Sequence, residues 1–124
     1  MNKKVKTTKK VDVKKTKWYS PKDWHFRDNT KRKEGKNKGK HPSLVVGENK
    51  NTYANLGLTH SQKRGHHKNI ELEKNPNPKD KKKSFVRNDL QYDDKKYLKT
   101  VFKDYKKLSD KDIEKISKII NKKR

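Results

Sequence analysis

The side chains able to move a proton or hold an anion fall in two short segments of the chain. His41 stands before a proline, and Thr59, His60 and Ser61 close an apolar stretch, with Lys63, Arg64 and His66-His67 just beyond. Imidazole gives and takes protons near neutrality, and lysine and arginine neutralise developing oxyanions. Together these types could supply a base for a 2′-hydroxyl, an acid for a leaving oxygen and a cation for a phosphorane. That is what phosphodiester cleavage without a metal requires. His41, Thr59 and His60 are the catalytic candidates; Lys38, Lys40, Ser61, Lys63 and Arg64 are the candidates for holding a polynucleotide backbone. His66-His67 does not read as a metal site, because neighbours on a strand point to opposite sides and no familiar ligand spacing completes the pair. Gly35 to Gly39 lacks the spacing and the following helix of a phosphate-cradling loop. No cofactor is expected.

A second group lies upstream. Trp18, Tyr19, Trp24 and Phe26 alternate with Lys17, Lys22, His25 and Arg27. Such interleaving suits stacking on unpaired bases between phosphate contacts, worth about 1–3 kcal/mol per base. Trp18, Trp24 and Arg27 are therefore binding candidates. The other reading is that the rings pack against the fold, since large apolar residues are scarce elsewhere.

Composition sets the frame for both groups. Of 124 residues, 25% are hydrophobic and 43% charged, with 38 Lys and Arg against 15 Asp and Glu, a net charge of +23. The apolar share is about half that of an ordinary globular chain, so one small domain is expected with part of the chain left out of its core. The surplus charge attracts polyanions, nucleic acid first among them. Only five of the basic residues are arginine, which argues for phosphate attraction over base reading. An anionic membrane is the competitor. However, no apolar run approaches the roughly 20 residues of a membrane span, and no lipidation signal is present. Without a secretory h-region or any cysteine, a cytoplasmic protein is expected.

The elements that must position these groups begin after a basic arm. Residues 1–34 read as a largely disordered arm around the aromatic island 18–26, and residues 1–40 hold sixteen Lys and Arg against four acids. Residues 43–46 read as a strand buried on both faces, and 52–59 as its hairpin partner across a loop longer than two residues. In that partner, Ala54, Leu56 and Leu58 would face a core, and Tyr53, Asn55, Gly57 and Thr59 the other side. Further short strands are expected at 69–72 and 84–87. Asp93 to Tyr105 fits either a helix or loop plus strand. A helix over 110–121 is marked by Ser109 as cap with Asp112 as its capping-box partner, and by Ile113, Ile116, Ile119 and Ile120 on one face.

The order of these pieces resembles the MazF/PemK-type toxin family over residues 35–121. Gly35 to Val46, with His41-Pro42 before a Val/Leu strand, resembles the family's glycine-containing loop leading into Arg-Pro. Asn55-Leu56-Gly57-Leu58-Thr59-His60-Ser61 resembles the strand that ends in its catalytic threonine. Asn69 to Leu72, Lys83 to Arg87 and Leu108 to Ile116 resemble its next strands and closing helix. The resemblance implies a mainly β, α+β fold, a small SH3-like barrel over 35–124, and endoribonuclease activity on single-stranded RNA. It also implies a homodimer and inhibition by an acidic antitoxin or another acidic protein. His41 stands where the family has its catalytic arginine, and Thr59 matches its threonine. The missing arginine favours a second reading, a non-enzymatic nucleic-acid-binding accessory protein of phage or mobile-element type. A component that orders within a ribonucleoprotein is the third.

Overall fold

The computed structural model describes residues 11–32, 39–64 and 67–123. Among the described residues nine strands and one α-helix follow in chain order: β1 Lys17–Trp18, β2 His25–Asp28, β3 Pro42–Glu48, β4 Thr52–Thr59, β5 Lys63–Arg64, β6 His67–Lys68, β7 Ile70–Glu71, β8 Phe85–Val86, β9 Gln91–Asp94 and α1 Asp110–Lys123. The fold is mainly β: a curled antiparallel sheet of seven strands with one C-terminal helix.

The β3–β4 hairpin is the middle of that sheet, as its alternation and turn residues predict. Ser43 pairs with Gly57, Leu44 with Leu56 and Val45 with Asn55, and the register then shifts between Val45 and Gly47. Leu44, Val45 and Val46 are fully or almost fully buried. Along β4 the two faces separate as expected. Ala54, Leu56 and Leu58 join a core with Leu44, Val46, Val86, Leu72 and the helix residues Ile116, Ile119 and Ile120. Cutting Leu56 or Ile116 to alanine in such a core costs about 2–5 kcal/mol.

Both long edges of the hairpin are covered by short strands laid end to end. β8 and β9 line the outer edge of β4, through Leu58↔Val86 and Tyr53↔Asp93. β1 and β2 line the outer edge of β3, through Trp18↔Gly47 and Phe26↔Leu44. This corrects the expected domain boundary, because residues 17–28 belong to the sheet and not to a disordered arm. The physical reason is twofold. A buried strand needs partners for its backbone groups, and Phe26, Trp18 and Trp24 add apolar surface to a core short of it. The arm's residues 1–10 and 33–34 lie outside the described residues.

Asp93 to Tyr105 is not an α-helix. Asp93 ends up in β9, a 3-10 turn follows at Lys95–Tyr97, and Val101 makes one bridge to Arg27. Pairing with the edge of β4 outweighs the weak helical spacing of Tyr97, Val101 and Tyr105.

The C-terminal helix starts where expected and runs to Lys123. Ser109 caps it, its hydroxyl accepting from the Asp112 N–H at 3.2 Å. Asp112 does not complete a capping box. Its carboxylate accepts from the Glu73 N–H at 3.0 and 3.1 Å, tying the helix to the loop after β7. Among the described residues no helix is long and apolar enough to cross a membrane.

Candidate functional site

The polar face of β4 opens, at the end away from the hairpin turn, into a cavity of about 860 Å³. Lys40, His41, Thr59 and His60 all line it. Register explains the meeting. The β3–β4 pairing reaches this end at Ser43↔Gly57, so His41 and Thr59 each lie two residues beyond the same pair.

Each of the three catalytic candidates is held differently. The His41 N–H donates to Asp28 Oδ1 at 2.8 Å, and its carbonyl accepts from the Asn29 N–H at 2.8 Å. Its Nε2 is buried and meets no partner among the described residues. The Thr59 hydroxyl accepts from the Ser61 N–H at 3.1 Å, and its proton stays available to a ligand.

His60 Nε2 lies 2.5 Å from Asp80 Oδ2. The Asp80 carboxyl is drawn down to about 2, first by the Lys82 N–H it accepts and next by His60. An ionised Asp80 fixes the proton on Nε2 and leaves Nδ1 of His60 as the basic nitrogen, the arrangement by which a carboxylate orients a catalytic imidazole.

Two guanidinium groups also stand at this cavity. Arg32 and Arg87 converge over Gly57, where an added Cβ would come within 3.0 Å of Arg87 Cδ and 3.2 Å of Arg32 Cζ. Arg87 directly follows β8, and its N–H donates to the Gly57 carbonyl at 2.8 Å. Among the described residues its guanidinium has no hydrogen bond or ion pair. Arg32 follows β2 in the 3-10 turn Thr30–Arg32 and donates to Gln91 Oε1 at 2.8 Å.

That turn is pinned from below. The buried Asp93 accepts from Asn29 Nδ2 at 3.0 Å, Asn55 Nδ2 at 3.1 Å and Lys31 Nζ at 3.2 Å. Three donors satisfy a carboxylate that would otherwise be costly to bury. Lys40 stands over the Phe102 ring, 5.5 Å from its centre, and Phe102 stacks on Tyr105 of the cavity wall. Burial pushes the Tyr105 phenol up, so it remains a neutral donor.

Of the other binding candidates, Trp18, Trp24, Arg27 and Ser61 are not among the residues that line this cavity. Trp18 meets Tyr92 edge-on at 6.4 Å, and Trp24 donates its Nε1 to the Tyr19 carbonyl at 3.2 Å, both against the core. Arg27 is engaged inside the fold, through His25 Nε2 at 2.8 Å and the Leu98 carbonyl at 3.0 Å. All three are half-buried, each with one side against the fold. Ser61 caps Thr59 and accepts Asn69 Nδ2 through its carbonyl at 3.0 Å. Lys63 and Arg64 form β5, which pairs with β6 as a separate two-stranded ribbon. Lys38 lies outside the described residues.

Arg32, Arg87 and Asp80 are among the cavity residues that the sequence did not mark out. The position of Arg87 opposite Gly57 follows only from the β4–β8 register, and Asp80 meets His60 from twenty residues away. No family model, no curated protein and no solved structure matches the chain.

Proposed function

We propose that the protein binds single-stranded RNA in this cavity and cleaves it without a metal, in the manner of the MazF/PemK-type toxins it resembles. The observation that supports this is the meeting of a carboxylate-held imidazole, His60 on Asp80, with two guanidinium groups over Gly57. Nδ1 of His60 takes the proton of a 2′-hydroxyl, and the 2′-oxygen attacks the neighbouring phosphorus. Arg87 and Arg32 stabilise the charge that accumulates on the phosphorane. His41 returns a proton to the departing 5′-oxygen, and Thr59 orients a phosphate oxygen. The products are a 2′,3′-cyclic phosphate and a 5′-hydroxyl, so atoms and protons balance with no co-reactant. The arginine absent at position 41 is replaced in space, not in sequence.

The test is RNA incubated with the purified protein in excess EDTA. Cleavage is expected, and it should fall about 10²–10⁴-fold in His60→Ala, the range for loss of a general base. Intact RNA at high protein concentration would remove the nuclease reading.

One observation favours a second reading, a binding protein without turnover. The Nε2 of His41 is buried and the Thr59 hydroxyl already serves a turn. A steep salt dependence of binding with no product would establish that reading.

A further inference from the structure

A second cavity, of about 370 Å³, adjoins the first: Asn75, Asn77, Asp80 and Ser84 line both. Lysines dominate its far wall, namely Lys74, Lys81, Lys82, Lys83 and Lys106. Two further carboxylates reach it, and both are engaged. Glu71 lies 3.9 Å from Lys83 Nζ, and Glu73 Oε1 accepts the Ser109 hydroxyl at 2.6 Å. Among the described residues Lys74, Lys81, Lys82 and Lys106 meet no carboxylate within 4.0 Å.

The loop that carries these lysines is built rather than slack. Asn75 Oδ1 accepts from the Asn77 N–H and Asn77 Oδ1 from the Lys79 N–H, both at 3.0 Å. Asn75 Nδ2 closes the loop on the Lys82 carbonyl at 3.1 Å, and the Lys106 N–H anchors it from outside through the Pro76 carbonyl at 2.8 Å. The backbone that carries the lysines is therefore set before any ligand arrives, with their side chains exposed. Among the described residues no aromatic ring lines this groove. It has nothing on which a base could stack, and what it offers is phosphate contact alone.

We infer that the groove is a phosphate track for the same RNA strand, which leaves the catalytic cavity across the Asn75–Asp80 wall and runs past Lys74, Lys81, Lys82 and Lys106. This rests on the RNA reading of the first cavity and adds to it a substrate requirement. The strand must extend beyond the scissile step on one side, and the extension is read by charge without regard to base.

The experiment uses the full chain and 2′-O-methyl oligoribonucleotides, which lack the attacking hydroxyl, as a trimer and a dodecamer. The dodecamer should bind at least about tenfold more tightly than the trimer at low salt, because each added phosphate contact releases counterions. In the triple variant K74Q/K81Q/K82Q the dodecamer should lose at least about tenfold while the trimer stays within about twofold. The slope of log affinity against log salt should become shallower by about 2, at about 0.7 per single-strand phosphate contact. A trimer bound as tightly as the dodecamer would overturn the track and leave the cavity reading standing. Failure of both probes to bind would overturn the cavity reading and the track with it. Polyglutamate showing the same length gain and the same lysine dependence would overturn the assignment to a polynucleotide.

Discussion

The two ends of one sheet face use the same kinds of residue to opposite effect. Toward the hairpin turn, beside Glu48 and Tyr53, the cations close on partners, Arg27 by leaning its side chain that way from a backbone level with Ser43 and Gly57. Arg27 holds His25 Nε2 and the Leu98 carbonyl and lies over the Tyr53 ring at 4.7 Å. Lys95 reaches Glu48 at 2.8 Å and the same ring at 5.2 Å. Glu48 also accepts the Tyr19 hydroxyl at 2.5 Å. Its carboxyl is held below the ordinary range, first by Lys95 and then by Tyr19, while burial and Glu48 push the Tyr19 phenol up. At the open end Arg87 has no such partner, and the nearby buried Asp93 is already satisfied by three donors. The comparison teaches that charge alone does not mark a site in a chain this basic. What marks one is charge that the fold positions without neutralising it.

The largest expected effect is at the open end. Arg87→Gln should lower RNA affinity about 10–100-fold, the worth of a charge-assisted contact of about 1.5–3 kcal/mol, with the melting temperature unchanged. Equal losses from Arg87→Gln and Arg27→Gln, measured by titration, would erase the distinction between the two ends.

Arg27→Ala should act in the reverse sense. It removes two hydrogen bonds and a ring contact, and should destabilise by about 1–3 kcal/mol in denaturant unfolding with RNA affinity preserved. Smaller is Gly57→Ala. Its added methyl must displace the Arg87 stem or the Arg32 head, so RNA affinity should fall several-fold while stability changes by less than about 1 kcal/mol.

The smallest effect sharpens the turn end by pH. The carboxyl of Glu48 titrates lower in the fold than its ordinary 4.5. Its contribution is therefore complete above that value and is lost as pH falls through the lowered one. Melting temperature followed downward from neutrality should drop less steeply below about pH 4.5 in Glu48→Gln than in the unaltered chain. A parallel drop in both proteins would show that the Glu48 pairs contribute nothing to the fold.

Local pattern was enough to read β3, β4 and α1. Alternation in Thr52 to Thr59 separates the two faces, and the isoleucines of the helix mark its buried stripe. Those strands also carried His41, Thr59 and His60 to one place, because paired ends bring together residues that flank a hairpin. What pattern could not show depends on distant partners. Phe26 and Trp18 sit among lysines and look like an arm until β3 is seen to need an edge partner. Arg32 sits in a stretch without periodicity, and only the buried Asp93 with Asn29 explains why it is held over Gly57. The short strands β7 and β8 have two residues each, too few for alternation to define their limits.

The paired short strands flanking the hairpin have a consequence for how two copies could meet. Every long run of backbone in the sheet is already shielded, and the outermost strands among the described residues are two to four residues long. Such stubs make poor templates for another chain to extend. Self-association through the described residues would proceed by side chains, against the mutual repulsion of two strongly cationic bodies. A polyanion lying between them would lower that barrier.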